Sequence, residues 1–295
     1  MTLPMKCAII VSQDKEKYRE VMKMKNLNLY IGTLRSDNTK RSYRKDLESM
    51  FNHINKDECD ITLADLLGWV NAMTENGNST STIARRIGTA KRYFSFLVDI
   101  DVIETSPAKK LTPPKIINKV EPTLTSDDIN NMMGCATNAR DKAIIATLAS
   151  TGMRISELIN ITLDDIEGDD VHIIGKGNKR RVVHLNEKTR RYINDYLKVR
   201  KDGVDNLFVS NRHTPMVADN INLTLKKLAK KAGVDKNVHN HSLRHMFATT
   251  MLDHHVPVEN IQVCLGHSDL STTMRYAKIR DARKVVEETM NIEVF

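Results

Sequence analysis

The chain has 295 residues, more than a single hydrophobic core comfortably holds, so two domains are expected. Although 40% of the residues are apolar, the longest apolar runs, such as Ala143–Ala149, fall far short of the roughly 20 residues a bilayer span needs, so neither a transmembrane helix nor a membrane partner is expected. An excess of 45 Lys and Arg over 37 Asp and Glu, net +8, suits a partner rich in phosphate, while four scattered cysteines, Cys7, Cys59, Cys135 and Cys264, form no C-x-x-C pair of the kind a zinc ribbon or redox motif needs.

At the start of the chain the only apolar run, Ala8–Val11, is too short for the core of a secretory signal, so a cytoplasmic location is expected and residues 1–22 read as an N-terminal extension. Residues 23–106 read as an all-helical domain. Tyr43, Leu47, Met50, Phe51 and Ile54 recur at helical spacing, and Ile83, Ile87, Ala90, Phe94 and Leu97 do the same farther on. Away from these apolar positions the same helices carry Lys40, Arg41, Arg44, Lys45, Arg85, Arg86, Lys91 and Arg92. Such a basic helical face can lie along a DNA backbone; the plain alternative is a solvated face. Excess charge is not confined to this region, since 20 basic and 15 acidic residues lie at or before Glu121 and 25 basic and 22 acidic residues follow it.

Three prolines and repeated lysines between Ser106 and Lys115 break the helical periodicity, and residues 107–122 are expected to form an extended, solvated linker. Residues 123–295 then make a second domain. Thr125 with Asp128 has the pattern of a capping box, opening a helix to about Ala136. A second helix, with Ile144, Ile145 and Leu148 inward, ends at Gly152, and the next opens at Arg154 with Ile155, Leu158 and Ile159 as its apolar stripe. Val171–Ile174 and Arg181–Leu185 flank Gly175-Lys176-Gly177-Asn178, which predicts a β-hairpin with glycine in its turn. Helices dominate the remainder. The fold class expected is therefore mainly α with a small β-sheet, in two domains.

Five pieces of the second domain fall in one order: Thr151-Gly152-Met153-Arg154-Ile155-Ser156-Glu157-Leu158, Gly175-Lys176-Gly177, His241-Ser242-Leu243-Arg244-His245, Leu265-Gly266-His267, and Thr272-Thr273-Met274-Arg275-Tyr276, with Tyr276 nine residues after His267. Together, from about Leu124 to Lys278, they resemble the tyrosine recombinase (phage integrase) family, and within it the Xer-type members. The resemblance implies that the first domain is a SAM-like core-binding domain, that the two domains clamp duplex DNA, and that the catalytic domain ends in an exchange helix. It also implies DNA cleavage and rejoining through a 3′-phosphotyrosyl intermediate and a Holliday junction, with integration, excision or resolution as the outcome. The partners so implied are double-stranded DNA and, on two synapsed sites, a homotetramer of protomers that are monomeric when free.

The residue types suit this chemistry. A phosphodiester repels an attacking oxygen until cations neutralise its non-bridging oxygens, and Arg154 and Arg244 offer planar forks of donors that keep their charge. Tyr276 is the nucleophile that the resemblance implies. Because a phenol's pKa is near 10, it needs a neighbouring base, for which His241 is the candidate. His267 would donate a hydrogen bond to the phosphate, Lys176 would protonate the departing 5′ oxygen, and Glu157 is expected to orient an arginine. Taken singly, each of these residues has a plainer reading as a helix start, a turn or a packing residue.

His241 and His245 stand at i, i+4, a spacing able to ligate zinc, but the glutamate of His-Glu-x-x-His is missing, so no metal site is expected. No cofactor is expected either: a phosphotyrosyl bond retains the energy of the broken diester, and no G-x-x-x-x-G-K-[ST] loop is present. Two other classes stay open. A type IB topoisomerase would use similar chemistry, and Val256–Lys278 can pass for a helix-turn-helix of a non-catalytic DNA-binding regulator. Beyond the nucleophile, Ile279, Ala282, Val286 and Met290 line one helical face that wants a partner, in its own domain or in a neighbouring protomer.

Overall fold

In the computed structural model the described residues are 25–115, 122–175, 180–266 and 273–274, and they divide between two compact units, Met1–Lys119 and Val120–Phe295. The first unit is helical throughout its described part: α1 (25–33), α2 (Asp37–Ile54), α3 (Leu63–Glu75) and α4 (Thr80–Asp99). Local sequence sets these limits. Thr62 accepts from the amide of Asp65, whose carboxylate accepts from the amide of Thr62, so α3 begins on a reciprocal capping box, and Ser79 caps α4 through the amide of Thr82. The apolar stripe foreseen on α4 is buried in full, and α2 contributes Leu47, Met50 and Phe51 to the same core. Tyr93 sits at the centre of an aromatic cluster, edge-on to Tyr30, Phe51 and Phe94.

The segment expected to be an extended linker departs from that expectation in its first half. Residues 107–110 turn back, Ala108 and Leu111 are buried in the first unit's core, and Lys91 of α4 donates to the carbonyls of Lys109 (3.3 Å) and Leu111 (2.9 Å). Helix α4 has already ended at Asp99, eight residues before Pro107, and the apolar Ala108 and Leu111 gain more from burial than from solvent.

The second unit runs α5 (Ser126–Cys135), α6 (Ala139–Thr151), α7 (Ile155–Asn160), a 3-10 turn (Leu163–Asp165), β1 (Ile166–Glu167), β2 (Asp170–Ile174), β3 (Arg180–His184), α8 (Glu187–Val199), α9 (Ala218–Lys231), α10 (Asn240–Asp253) and α11 (Val258–Leu265). Helix α6 is the hub, packed on α8 and α10, while α5 packs on α9. The strands form one antiparallel sheet in the order β1-β2-β3, with Val171 opposite Val183 and Ile173 opposite Arg181. Val171, Ile173 and Val183 are buried, so one face of the sheet joins the core. The residues of the expected hairpin turn, 176–179, lie outside the described residues. Thr125 and Asp128 make the expected capping box at α5, and α6 ends on Gly152 in the left-handed conformation (φ +59°). Among the described residues no helix is long and apolar enough to cross a membrane.

Candidate active site

The site is built around the break between α6 and α7. Gly152 reverses the chain there, and a Cβ at this position would meet Phe247 Cδ1 at 2.5 Å and Leu265 Cδ2 at 2.9 Å, so both the backbone angle and the close approach of α10 and α11 require glycine. Met153 and Leu158, both fully buried, fix the stretch of chain between them. Arg154 is thereby held at the start of α7 with its side chain one-quarter exposed.

Glu157 lies one turn on, its carboxylate almost sealed from solvent at 2% exposure. Its Oε2 accepts from the Arg154 amide (2.7 Å) and its Oε1 from Arg154 Nη1 (2.9 Å). Arg181, on β3, adds a parallel fork to the same carboxylate, Nη1 to Oε1 at 2.7 Å and Nη2 to Oε2 at 3.1 Å. Burial works to raise the Glu157 pKa, but the bonds and charge from Arg181 and the bonds from Arg154 outweigh it and hold the carboxyl below its ordinary value.

Arg244 is buried on α10. Its Nη1 donates to the carbonyl of Gly152 (2.6 Å) and its Nη2 to that of Leu265 (2.7 Å), while Arg154 Nη2 donates to the next carbonyl, that of Gly266 (3.1 Å). Two guanidinium groups that are 90 residues apart in sequence therefore converge on consecutive peptides at the end of α11. Among the described residues, Arg154 and Arg181 share the single carboxylate of Glu157, an imbalance that favours an anion in their neighbourhood.

His241 sits in the first turn of α10, three residues before Arg244 and on the same side of the helix. Partial burial, then the charges of His239, Arg244 and Arg154, push its pKa below the ordinary 6.5, which keeps the imidazole neutral and able to take up a proton at neutral pH. One turn farther on, His245 Nδ1 lies 3.4 Å from the Thr123 hydroxyl and 3.5 Å from that of Thr249. Among the described residues no cluster of three or more His, Cys, Asp or Glu side chains is arranged to hold a metal ion.

The structure thus brings Arg154, Glu157, His241 and Arg244 together. Lys176, His267 and Tyr276 lie outside the described residues. Arg181 is a member of the cluster that sequence reasoning passed over. Its signal was available: on β3 it alternates with exposed Val182 and shares the core-facing side with Val183, where a lone charge demands a partner.

Three of the basic residues of the first unit, Arg85, Arg86 and Arg92, reach from α4 to α2. Arg85 reaches Ser42 (3.0 Å) and pairs with the buried Asp46, which Arg86 also approaches at 3.7 Å. Arg92 donates to the Tyr43 hydroxyl (2.8 Å) and lies over its ring. Arg44 donates to Asn28, Arg41 to Asn38, and Lys40 pairs with Asp37, while Lys45 is exposed. Lys91 is turned toward the carbonyls after Pro107.

The chain matches the phage integrase family over residues 122–283 and the phage integrase N-terminal SAM-like domain over residues 27–100. It is 30% identical to the tyrosine recombinase XerD of Oceanobacillus iheyensis, over 84% of this chain and 90% of that one, and 35% identical to the tyrosine recombinase XerA of Pyrococcus horikoshii, over 88% and 90%. Its fold is similar to that of a lambda integrase, solved as a tetramer bound to a Holliday junction, with a TM-score of 0.72 at 15% identity over 91% of this chain and 82% of the other. With matches that span both units and most of each relative, the chain belongs to the phage integrase family of tyrosine recombinases, enzymes that break and rejoin DNA.

Proposed function

We propose that this protein is a site-specific DNA recombinase in which Arg154 and Arg244 bind the scissile phosphate and Tyr276 attacks it. The observation that carries this reading is the convergence of the two guanidinium groups on the Leu265 and Gly266 carbonyls, immediately before His267 in the chain. In the step proposed, Tyr276 Oη bonds to phosphorus as its proton passes to His241. The bond from phosphorus to the 5′ oxygen breaks, and Lys176 supplies that oxygen's proton. The product is a 3′-phosphotyrosyl link and a free 5′-hydroxyl. Attack by a 5′-hydroxyl from a second duplex reverses each transfer and reseals the strand without an energy source. The neutral His241 suits it to the role of base, and the surplus of positive charge suits the cluster to the dianionic character that develops on the phosphate oxygens.

The basic seam of α2 and α4 is proposed to follow the DNA backbone, with Arg41 and Lys45 exposed, Arg44 partly so, and Arg85 and Arg86 serving the fold as well through Asp46. Two sites synapsed by four protomers, exchanged by way of a Holliday junction, are the proposed assembly, cytoplasmic and serving a mobile element or the resolution of DNA multimers. In this assembly the apolar positions after Tyr276, Ile279, Ala282, Val286 and Met290, are proposed to contact the neighbouring protomer. Both relatives named above carry the name recombinase, which favours this reading over a topoisomerase or a non-catalytic regulator.

A nicked suicide substrate tests the chemistry directly. Tyr276→Phe is expected to bind DNA as the native protein does and to form no SDS-stable adduct, and an adduct from this variant would remove Tyr276 from its role.

A further inference from the structure

We infer that Arg181 is a positioning residue for DNA cleavage, aiming Arg154 at the phosphate through both groups to which Arg154 is bonded. This inference rests on the reading of Arg154 as a phosphate-binding cation. Arg154's guanidinium donates to Glu157 Oε1 and to the Gly266 carbonyl, and Arg181 bonds to the first and lies against the Cα of Gly266.

On the Glu157 side, Arg181 donates two of the four hydrogen bonds that the carboxylate receives from the two arginines, as a fork that fixes the plane of the carboxylate. With that plane fixed, Oε1 is held toward the Arg154 guanidinium and Oε2 toward the Arg154 amide. Without it, the carboxylate can rotate and draw Arg154 with it. On the Gly266 side, the Arg181 guanidinium lies so close to the chain that a Cβ on Gly266 would stand 2.9 Å from Nη1 and 3.0 Å from Cζ, and Gly266 adopts φ +62°. Glycine at this position lets Arg181 prop the peptide whose carbonyl accepts from Arg154.

Arg181 is itself held firmly. It pairs in register with Ile173, its neighbours Val171, Ile173 and Val183 are buried, and its side chain is only 14% exposed. The strand that carries it begins four residues after Lys176 in the sequence. One guanidinium therefore connects β3, the start of α7 and the end of α11. A lysine in its place would retain the charge and lose the fork, and a methionine would retain most of the volume and lose both.

The test compares Arg181→Lys and Arg181→Met with the native protein, by gel shift on a single DNA site and by the single-turnover rate of adduct formation on a nicked suicide substrate. DNA affinity is expected to stay within about twofold, while the cleavage rate falls about 10-fold for lysine and about 100-fold for methionine, the scale of loss that a misplacement of about 1 Å at the reacting phosphate produces. A residue that acts through Arg154 must also fail to add to it. In the Arg154→Lys background, Arg181→Met is therefore expected to slow cleavage by less than about threefold. Cleavage within about threefold of native for Arg181→Lys, or slowing that multiplies in the double variant, overturns the inference. If Arg181→Met does not fold, the Arg181→Lys rate and its combination with Arg154→Lys decide the matter. Native cleavage by Arg154→Lys and Arg154→Ala alone would instead sink the reading of Arg154, in a separate arm of the experiment.

Discussion

Each unit buries a carboxylate beneath two arginines, yet the two devices have different reach. In the first, Asp46 of α2 takes Arg85 and Arg86, neighbours on the single helix α4, so the cluster joins two helices that already share a core. In the second, Glu157 takes Arg154 at the start of α7 and Arg181 from β3, and Arg154 and Arg244 extend the network to the end of α11. A buried carboxylate needs compensation wherever it lies, and two arginines supply it in both places. What differs is where the cations come from. Cations drawn from three elements toward one stretch of chain fit the proposed binding of an anion, whereas cations from one helix secure a packing contact.

The contrast is broken most severely at Arg244. Arg244→Ala removes a buried cation and leaves the Gly152 and Leu265 carbonyls without these donors, and adduct formation is expected to fall by about 10²- to 10³-fold. A single-turnover rate within about tenfold of native would show that this arginine serves the fold alone. Gly152→Ala attacks the same region through the backbone. It combines an unfavourable φ with a clash against Phe247 and Leu265, and is expected to cost about 3 kcal/mol in a denaturant titration followed by far-UV circular dichroism.

Asp46→Asn sharpens the comparison from the other side. It is expected to lower stability by about 2 kcal/mol, because Asp46 is buried while Arg85 and Arg86 remain partly hydrated, and to leave the cleavage rate of the folded protein within about threefold of native. Glu157→Gln should reverse that pattern, with a larger loss of cleavage than of stability. A fall in cleavage from Asp46→Asn matching that from Glu157→Gln would erase the distinction between the two clusters.

Protonation separates the units more gently. The His241 pKa is depressed, so its base form persists below the ordinary 6.5, and the acid limb of the cleavage rate is expected below pH 6.5 and to vanish in His241→Ala. An acid limb centred above 6.5 would contradict the assignment. The Glu157 pKa is also depressed, which for an acid means that its stabilisation is complete above the ordinary 4.5 and is lost as pH falls through the lower folded value. The smallest effect is expected where the units are alike: Thr62→Ala and Thr125→Ala each remove one capping box and should cost about 1 kcal/mol, measurable in thermal melts.

The sequence by itself determined the features governed by neighbours a few residues apart. Thr125 and Asp128 cap α5 because their groups meet within one turn, Gly152 ends α6 because only glycine takes that angle cheaply, and the alternation of Val171 with Ile173 and of Val183 with its neighbours laid down two strands. The five ordered pieces likewise carried the family, since residue identity and spacing are properties of the chain alone. Tertiary structure decided everything that required distant residues to meet. Arg154 and Gly266 are 112 residues apart, and their bond depends on how α6, α10 and α11 pack. The same holds for Arg181, which reads as one more charge on a strand until Glu157 and Gly266 close around it, and for Ala108 and Leu111, whose burial turns the start of an expected linker into part of a core. Local propensities fix where a helix begins and ends, but the partner of a buried charge is chosen by whichever elements the core brings within about 3 Å of it.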